Sequence, residues 1–135
     1  MLLENILKVF YHLGEKEEDF KVPRTFEDLK KTRNLTPSEL NKGLSQLKKK
    51  NMVRKSLDTW MITKTGLFEA RRIIKLHRLW EMYLNQRLKL EPDHVHNDAE
   101  AIEHIITPEI ERLLEKELAF PTIDPHQSKI PYNES

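Results

Sequence analysis

The chain contains no cysteine, which excludes disulfides and thiolate metal sites and fits a reducing compartment. It has three glycines in 135 residues and aromatics at 7%. No run approaches the ~20 apolar residues that a membrane-spanning helix needs. Apolar positions near the N-terminus alternate with polar ones, which is not the pattern expected of a secretory signal. What remains is rich in Leu, Glu and Lys, with 38% hydrophobic and 33% charged residues. That composition predicts a mainly α protein, as one large domain or two small units sharing a core.

The formal net charge of +1 conceals a segregation. From Lys21 to Arg78 there are sixteen Lys and Arg against five Asp and Glu; from Glu91 to Leu118 there are two against nine. A basic front favours a polyanion and an acidic rear favours cations.

Helical spacing of Leu3, Ile6, Leu7, Phe10 and Leu13 predicts a first helix that stops at Gly14, followed by an acidic loop over 15–19. Thr25 is placed to cap a short helix carrying Phe26 and Leu29. Thr36-Pro37-Ser38-Glu39 is a strong start signal: a capping threonine, proline at the first helical position and a glutamate that closes a capping box. That helix carries Leu40, Leu44 and Leu47 and reaches about Asn51. Met52 to Thr63 alternates loosely around turn residues and predicts a β-hairpin. A long helix then spans about 65–88, with a stripe that includes Leu67, Ala70, Ile73, Ile74, His77, Trp80, Leu84 and Leu88. Asp93 caps a further predicted helix, and Thr107-Pro108-Glu109 opens another to about Leu118. The tail from Phe120 is expected to be extended.

Two short helices, a tight connection, a second helix with a polar front and then a hairpin is the order of a winged helix-turn-helix. The second helix would present Thr36, Ser38, Asn41, Lys42 and Ser45 to base edges. Lys48, Lys49, Lys50, Arg54 and Lys55 would meet phosphates, which sets affinity and salt dependence but not sequence choice. Lysines also suit the negative end of a helix dipole, and a winged helix also serves as a protein-contact module. Glu39 sits awkwardly beside a duplex.

The most informative stretch is His96 to His104. In a helix, His96, Glu100, Glu103 and His104 share one face, within an arc of roughly 100°. Upstream, His77 and Glu81 stand four residues apart and would close the site from a facing helix. Imidazoles and carboxylates without thiolates favour Mn(II) or Fe(II), with Zn(II) or Co(II) binding in vitro. The Glu-x-x-Glu-His spacing is not the His-Glu-x-x-His of zinc proteases, so no enzyme and no small-molecule substrate are expected. His94 and His126 are read as ordinary boundary residues.

The run Trp60-Met61-Ile62-Thr63-x-x-Gly66, then His77-Arg78-Leu79-Trp80-Glu81, then His96-x-Asp98-Ala99-Glu100-x-x-Glu103-His104, then Pro121-Thr122-x-Asp124-Pro125-His126 and Ile130-Pro131 resembles the DtxR/MntR family of iron- and manganese-dependent repressors. The resemblance covers nearly the whole chain. It implies a winged helix-turn-helix over 1–64 and a helical metal-binding and dimerisation domain over 65–135, without an SH3-like domain. It further implies a cytoplasmic homodimer that binds an operator in double-stranded DNA under metal control. Glu100, Glu103 and His104 match primary ligands, His77 matches a ligand shared by the paired sites, and His96 and Glu81 match ancillary ligands of the iron-responsive branch. Where the family's first helix supplies Met or Asp, this chain has Asn5, and a second acidic position falls on Lys8. The family's domain also occurs behind the membrane part of manganese, iron or zinc ABC-transporter permeases. A first helix beginning at residue 2 fits such a tail at the cytosolic face of the inner membrane.

Overall fold

A computed structural model describes residues 2–31, 35–87, 108–118, 124 and 129–132. The described residues form a mainly helical protein with a small antiparallel sheet. In chain order they are α1 (Leu2–Glu17), β1 (Arg24–Thr25), α2 (Phe26–Lys31), α3 (Pro37–Lys49), β2 (Val53–Ser56), β3 (Thr59–Ile62), α4 (Lys64–Arg87) and α5 (Pro108–Glu117). They divide into two compact units, Met1–Arg71 and Arg72–Ser135.

In the first unit the predicted helices and hairpin are present, with two differences. Helix α1 does not stop at Gly14 but continues to Glu17. Gly14 is there for packing: a Cβ on it would lie 2.2 Å from the Phe20 ring. The helix ends at Glu18, whose φ of 57° is left-handed. The Asp19 N–H donates to the Gly14 carbonyl and the Glu18 N–H to the Glu15 carbonyl, at 2.9 and 3.3 Å. This paired closure satisfies carbonyls that the helix end would otherwise orphan. The second difference is β1, two residues that pair antiparallel with β3 and give the strand order β1-β3-β2.

Helix α3 begins as its sequence predicts. The Glu39 N–H donates to the Thr36 hydroxyl and the Thr36 N–H donates to the Glu39 carboxylate, both at 3.1 Å. It ends with the same closure as α1, through Asn51 at φ 59° and the Met52 N–H on the Leu47 carbonyl. Leu40, Leu44 and Leu47 are buried with Ile6, Leu7, Leu29 and Val53. Gly43 allows α1 to approach α3 closely, since a Cβ would meet Ile6 Cδ1 at 2.1 Å. The hairpin pairs Val53 with Ile62 through Ser56 with Thr59, leaving Leu57 and Asp58 as its loop.

In the second unit, α4 is buried far beyond one stripe. Ile73, Ile74, Leu76, His77, Arg78, Leu79, Glu81, Met82 and Leu84 are all buried. Burial on more than one side marks a central helix, not a surface one. Leu79 and Met82 form a core with Leu114 and Leu118 of α5 and with Ile130, flanked by Trp80, Tyr83 and Tyr132.

Candidate functional site

The α4 backbone places His77 and Glu81 one turn apart on the same face, as their spacing requires. His77 is 7% exposed and Glu81 2%. His77 Nε2 meets Glu81 Oε1 in a close hydrogen bond. A carboxylate removed from water is costly unless paired, ligated or neutralised. An imidazole nitrogen beside a carboxylate oxygen is the donor chemistry that suits manganese, iron or zinc. Both side chains also make interactions beyond this one.

The remaining ligand candidates of this region, His96, Glu100, Glu103 and His104, lie outside the described residues. Among the described residues no three His, Asp or Glu side chains group as a metal site. In the first unit, Asn5 Oδ1 is buried and accepts no hydrogen bond. An orphaned buried acceptor is the condition that a cation relieves. Lys8, one turn further along α1, is 1% exposed. A protonated ammonium has no lone pair to give a metal, so Lys8 does not fit a ligand role.

Charged groups around the pair hold the second unit together. The Arg78 guanidinium donates to the Lys129 carbonyl and lies 3.8 Å from Asp124. Lys75 pairs with Glu115 at 2.7 Å and with Glu111 at 3.6 Å, and its ammonium stands 5.7 Å from the centre of the Tyr132 ring. Burial, and then the Glu115 charge, push the Tyr132 hydroxyl up to about 12. These ties fasten Asp124, Lys129 and Tyr132 to α4. The sequence reading missed them, and only the isolated acid Asp124 within a proline-rich tail hinted at one.

The candidate polyanion contacts share one property, exposure to solvent. Thr36, Ser38, Asn41, Lys42, Ser45, Lys48, Lys49, Lys50, Arg54 and Lys55 are all exposed. On α3 they occupy the faces away from Leu40, Leu44 and Leu47. The Thr36 hydroxyl is engaged as a cap, and hydrogen bonds from Thr36 hold the Glu39 carboxyl below its ordinary range. Glu39 therefore has a local structural role that accounts for an acid at this helix start. Lys55 rests its ammonium 5.4 Å from the centre of the Trp60 ring, its cross-strand partner.

No described helix is long and apolar enough to cross a membrane. Residues 63–132 match the family profile of the iron dependent repressor, metal binding and dimerisation domain. A relative from Chlamydia trachomatis, described as "Probable metal transport system membrane protein", is 34% identical over 130 residues. The match covers 95% of this chain but only 29% of that protein. Among solved structures, the manganese regulator SloR superposes with a TM-score of 0.82 at 25% identity, covering 98% of this chain and 60% of that one. A manganese-dependent transcriptional repressor in complex with manganese gives 0.83 at 25% identity, covering 96% and 58%.

Proposed function

The chain belongs to the DtxR/MntR family of iron- and manganese-dependent repressors, and from that premise we propose that it is a metal-dependent, DNA-binding transcriptional regulator of metal homeostasis, acting as a homodimer. One observation carries the reading. An imidazole and a carboxylate are buried side by side on α4, inside the segment that matches the metal-binding domain.

In this proposal His77 and Glu81 hold Mn(II) or Fe(II) together with His96, Glu100, Glu103 and His104; Zn(II) or Co(II) substitute in vitro. A bound ion would supply positive charge that offsets the buried Glu81 carboxylate. His77 offers a neutral nitrogen, and Glu81 offers oxygen while its burial excludes water. The first unit acts as a winged helix-turn-helix, with α3 in the major groove and the β2–β3 hairpin as the wing. Metal occupancy is coupled to DNA affinity, which thermodynamic linkage makes reciprocal. The two solved neighbours named above are described as a regulator and a repressor, and no catalytic step is assigned to this chain.

A second reading is favoured by the chlamydial relative. The same domain would serve as the cytosolic metal-sensing part of a manganese, iron or zinc transporter permease, with the membrane portion in cis. Titration of Mn(II) by calorimetry, followed by binding to promoter DNA with and without Mn(II) at two salt concentrations, separates the two. Mn(II)-dependent DNA binding supports the regulator. Tight Mn(II) binding with no DNA binding supports the transporter domain, and no metal binding removes both.

A further inference from the structure

A concavity of about 630 Å³ in the first unit lies where the hairpin meets the start of α4, lined by Lys21, Asn51, Arg54, Met61, Lys64 and Thr65 among others. Three of these are cations, and no carboxylate lines the cavity. The ion pairs described elsewhere join Arg24 to Glu17, Lys75 to Glu111 and Glu115, and Arg78 to Asp124; Lys21, Arg54 and Lys64 enter none of them. Like charges facing one hollow repel one another, and an anion seated there relieves that repulsion. The first-turn N–H groups of α4 add to the field without carrying the argument.

We propose that this concavity seats a phosphate of the DNA backbone, a contact separate from those of α3. The proposal rests on the reading of the first unit as a DNA-binding module and extends it to two residues outside the recognition helix and wing, Lys21 and Lys64. What favours a polyanion over a single phosphate is continuity. Asn51, in the wall, directly follows the exposed Lys48, Lys49 and Lys50, and Arg54 adjoins the exposed Lys55. Cations strung along the chain in this way match charges repeated along a strand. The half-exposed Met61 supplies an apolar patch against which a sugar packs.

The test is duplex binding by fluorescence anisotropy with Mn(II) present, from about 50 to about 200 mM salt. The proteins are the full chain, Lys21→Gln/Lys64→Gln, and that variant with Arg54→Gln. Both lysines are exposed, so the double variant keeps its melting temperature. The expected result is a salt slope shallower by about 2 and affinity weaker by about tenfold, equally on operator and random duplex. Arg54→Gln should remove about one further unit of slope. An unchanged slope in the double variant overturns the pocket and leaves the DNA reading standing. A loss confined to one sequence also overturns it, since phosphate contacts do not discriminate. If the unaltered chain binds no duplex, both fall. Two further arms use phosphatidylserine vesicles and inorganic pyrophosphate. If the substitutions weaken either of these while the duplex slope stays constant, the occupant is a membrane surface or a small anion, and the proposal is overturned.

Discussion

The two units treat charge in opposite ways. In Met1–Arg71 the lysines and arginines of α3 and the hairpin stand in water, around a core of Ile6, Leu29, Leu40, Leu44 and Val53. Among the described residues of this unit, Lys8 and Arg24 are the buried exceptions. In Arg72–Ser135 charge is taken inside: His77, Arg78, Glu81, Glu115 and Asp124 are all buried. Exposed charge costs the fold almost nothing and is free to meet a large anion. Buried charge is expensive and persists only where partners or a ligand offset it. The first unit therefore keeps its cations in water, and the second keeps its charges dry and paired.

The comparison breaks most severely if a buried partner is removed. Arg78→Ala strips the Asp124 carboxylate of its guanidinium and the Lys129 carbonyl of its donor. Breaking a buried pair costs about 3–5 kcal/mol, read as a large drop in melting temperature. A change below about 0.5 kcal/mol, the scale of a surface substitution, would show that the pair is not buried in solution.

Glu81→Ala sharpens the comparison from the metal side. Mn(II) affinity should fall about 100-fold by calorimetry, or about 2.7 kcal/mol, while binding to random DNA at low salt persists. Unchanged affinity would leave the His77–Glu81 pair as a structural hydrogen bond only.

In the first unit the largest local effect is smaller. Thr36→Ala removes one half of the capping box and costs about 1 kcal/mol by chemical denaturation. The linked acid gives a direction with pH. Glu39 titrates below its ordinary 4.5 when folded, so its stabilisation is present above that value and lost as pH falls through the lowered one. Glu39→Gln should flatten that acid limb.

The smallest effect is spectroscopic. Tyr132 should stay protonated until about pH 12, well above 10.0, in an ultraviolet titration. Its stabilisation is complete below about pH 10 and lost as pH rises toward 12. Glu115→Gln should lower the midpoint, since the neighbouring charge is the second cause of the shift.

Much of the first unit was legible because its signals are local. The Thr36-to-Glu39 cap, the leucine spacing of α3 and the alternation of the hairpin each act within a few residues. Gly14 misled because glycine marks both helix ends and close packing, and only the Phe20 ring tells which applies. Strand β1 was invisible because two residues carry no period. The cavity of Lys21, Arg54 and Lys64 was hidden in a general excess of positive charge, since its members come from three segments.

For α4, the amino-acid order alone set the four-residue spacing that puts His77 and Glu81 on one face, because helical pitch is a property of the backbone. It also dictated where α3 begins, because a capping box closes within four residues. Packing at long range decided that the pair is dry and that Arg78 reaches Asp124 and Lys129, 46 and 51 residues away. It decided too that three distant cations share one hollow. Such contacts arise only when segments remote in sequence are pressed together by the burial of apolar surface, a force with no direction written into any single stretch of chain.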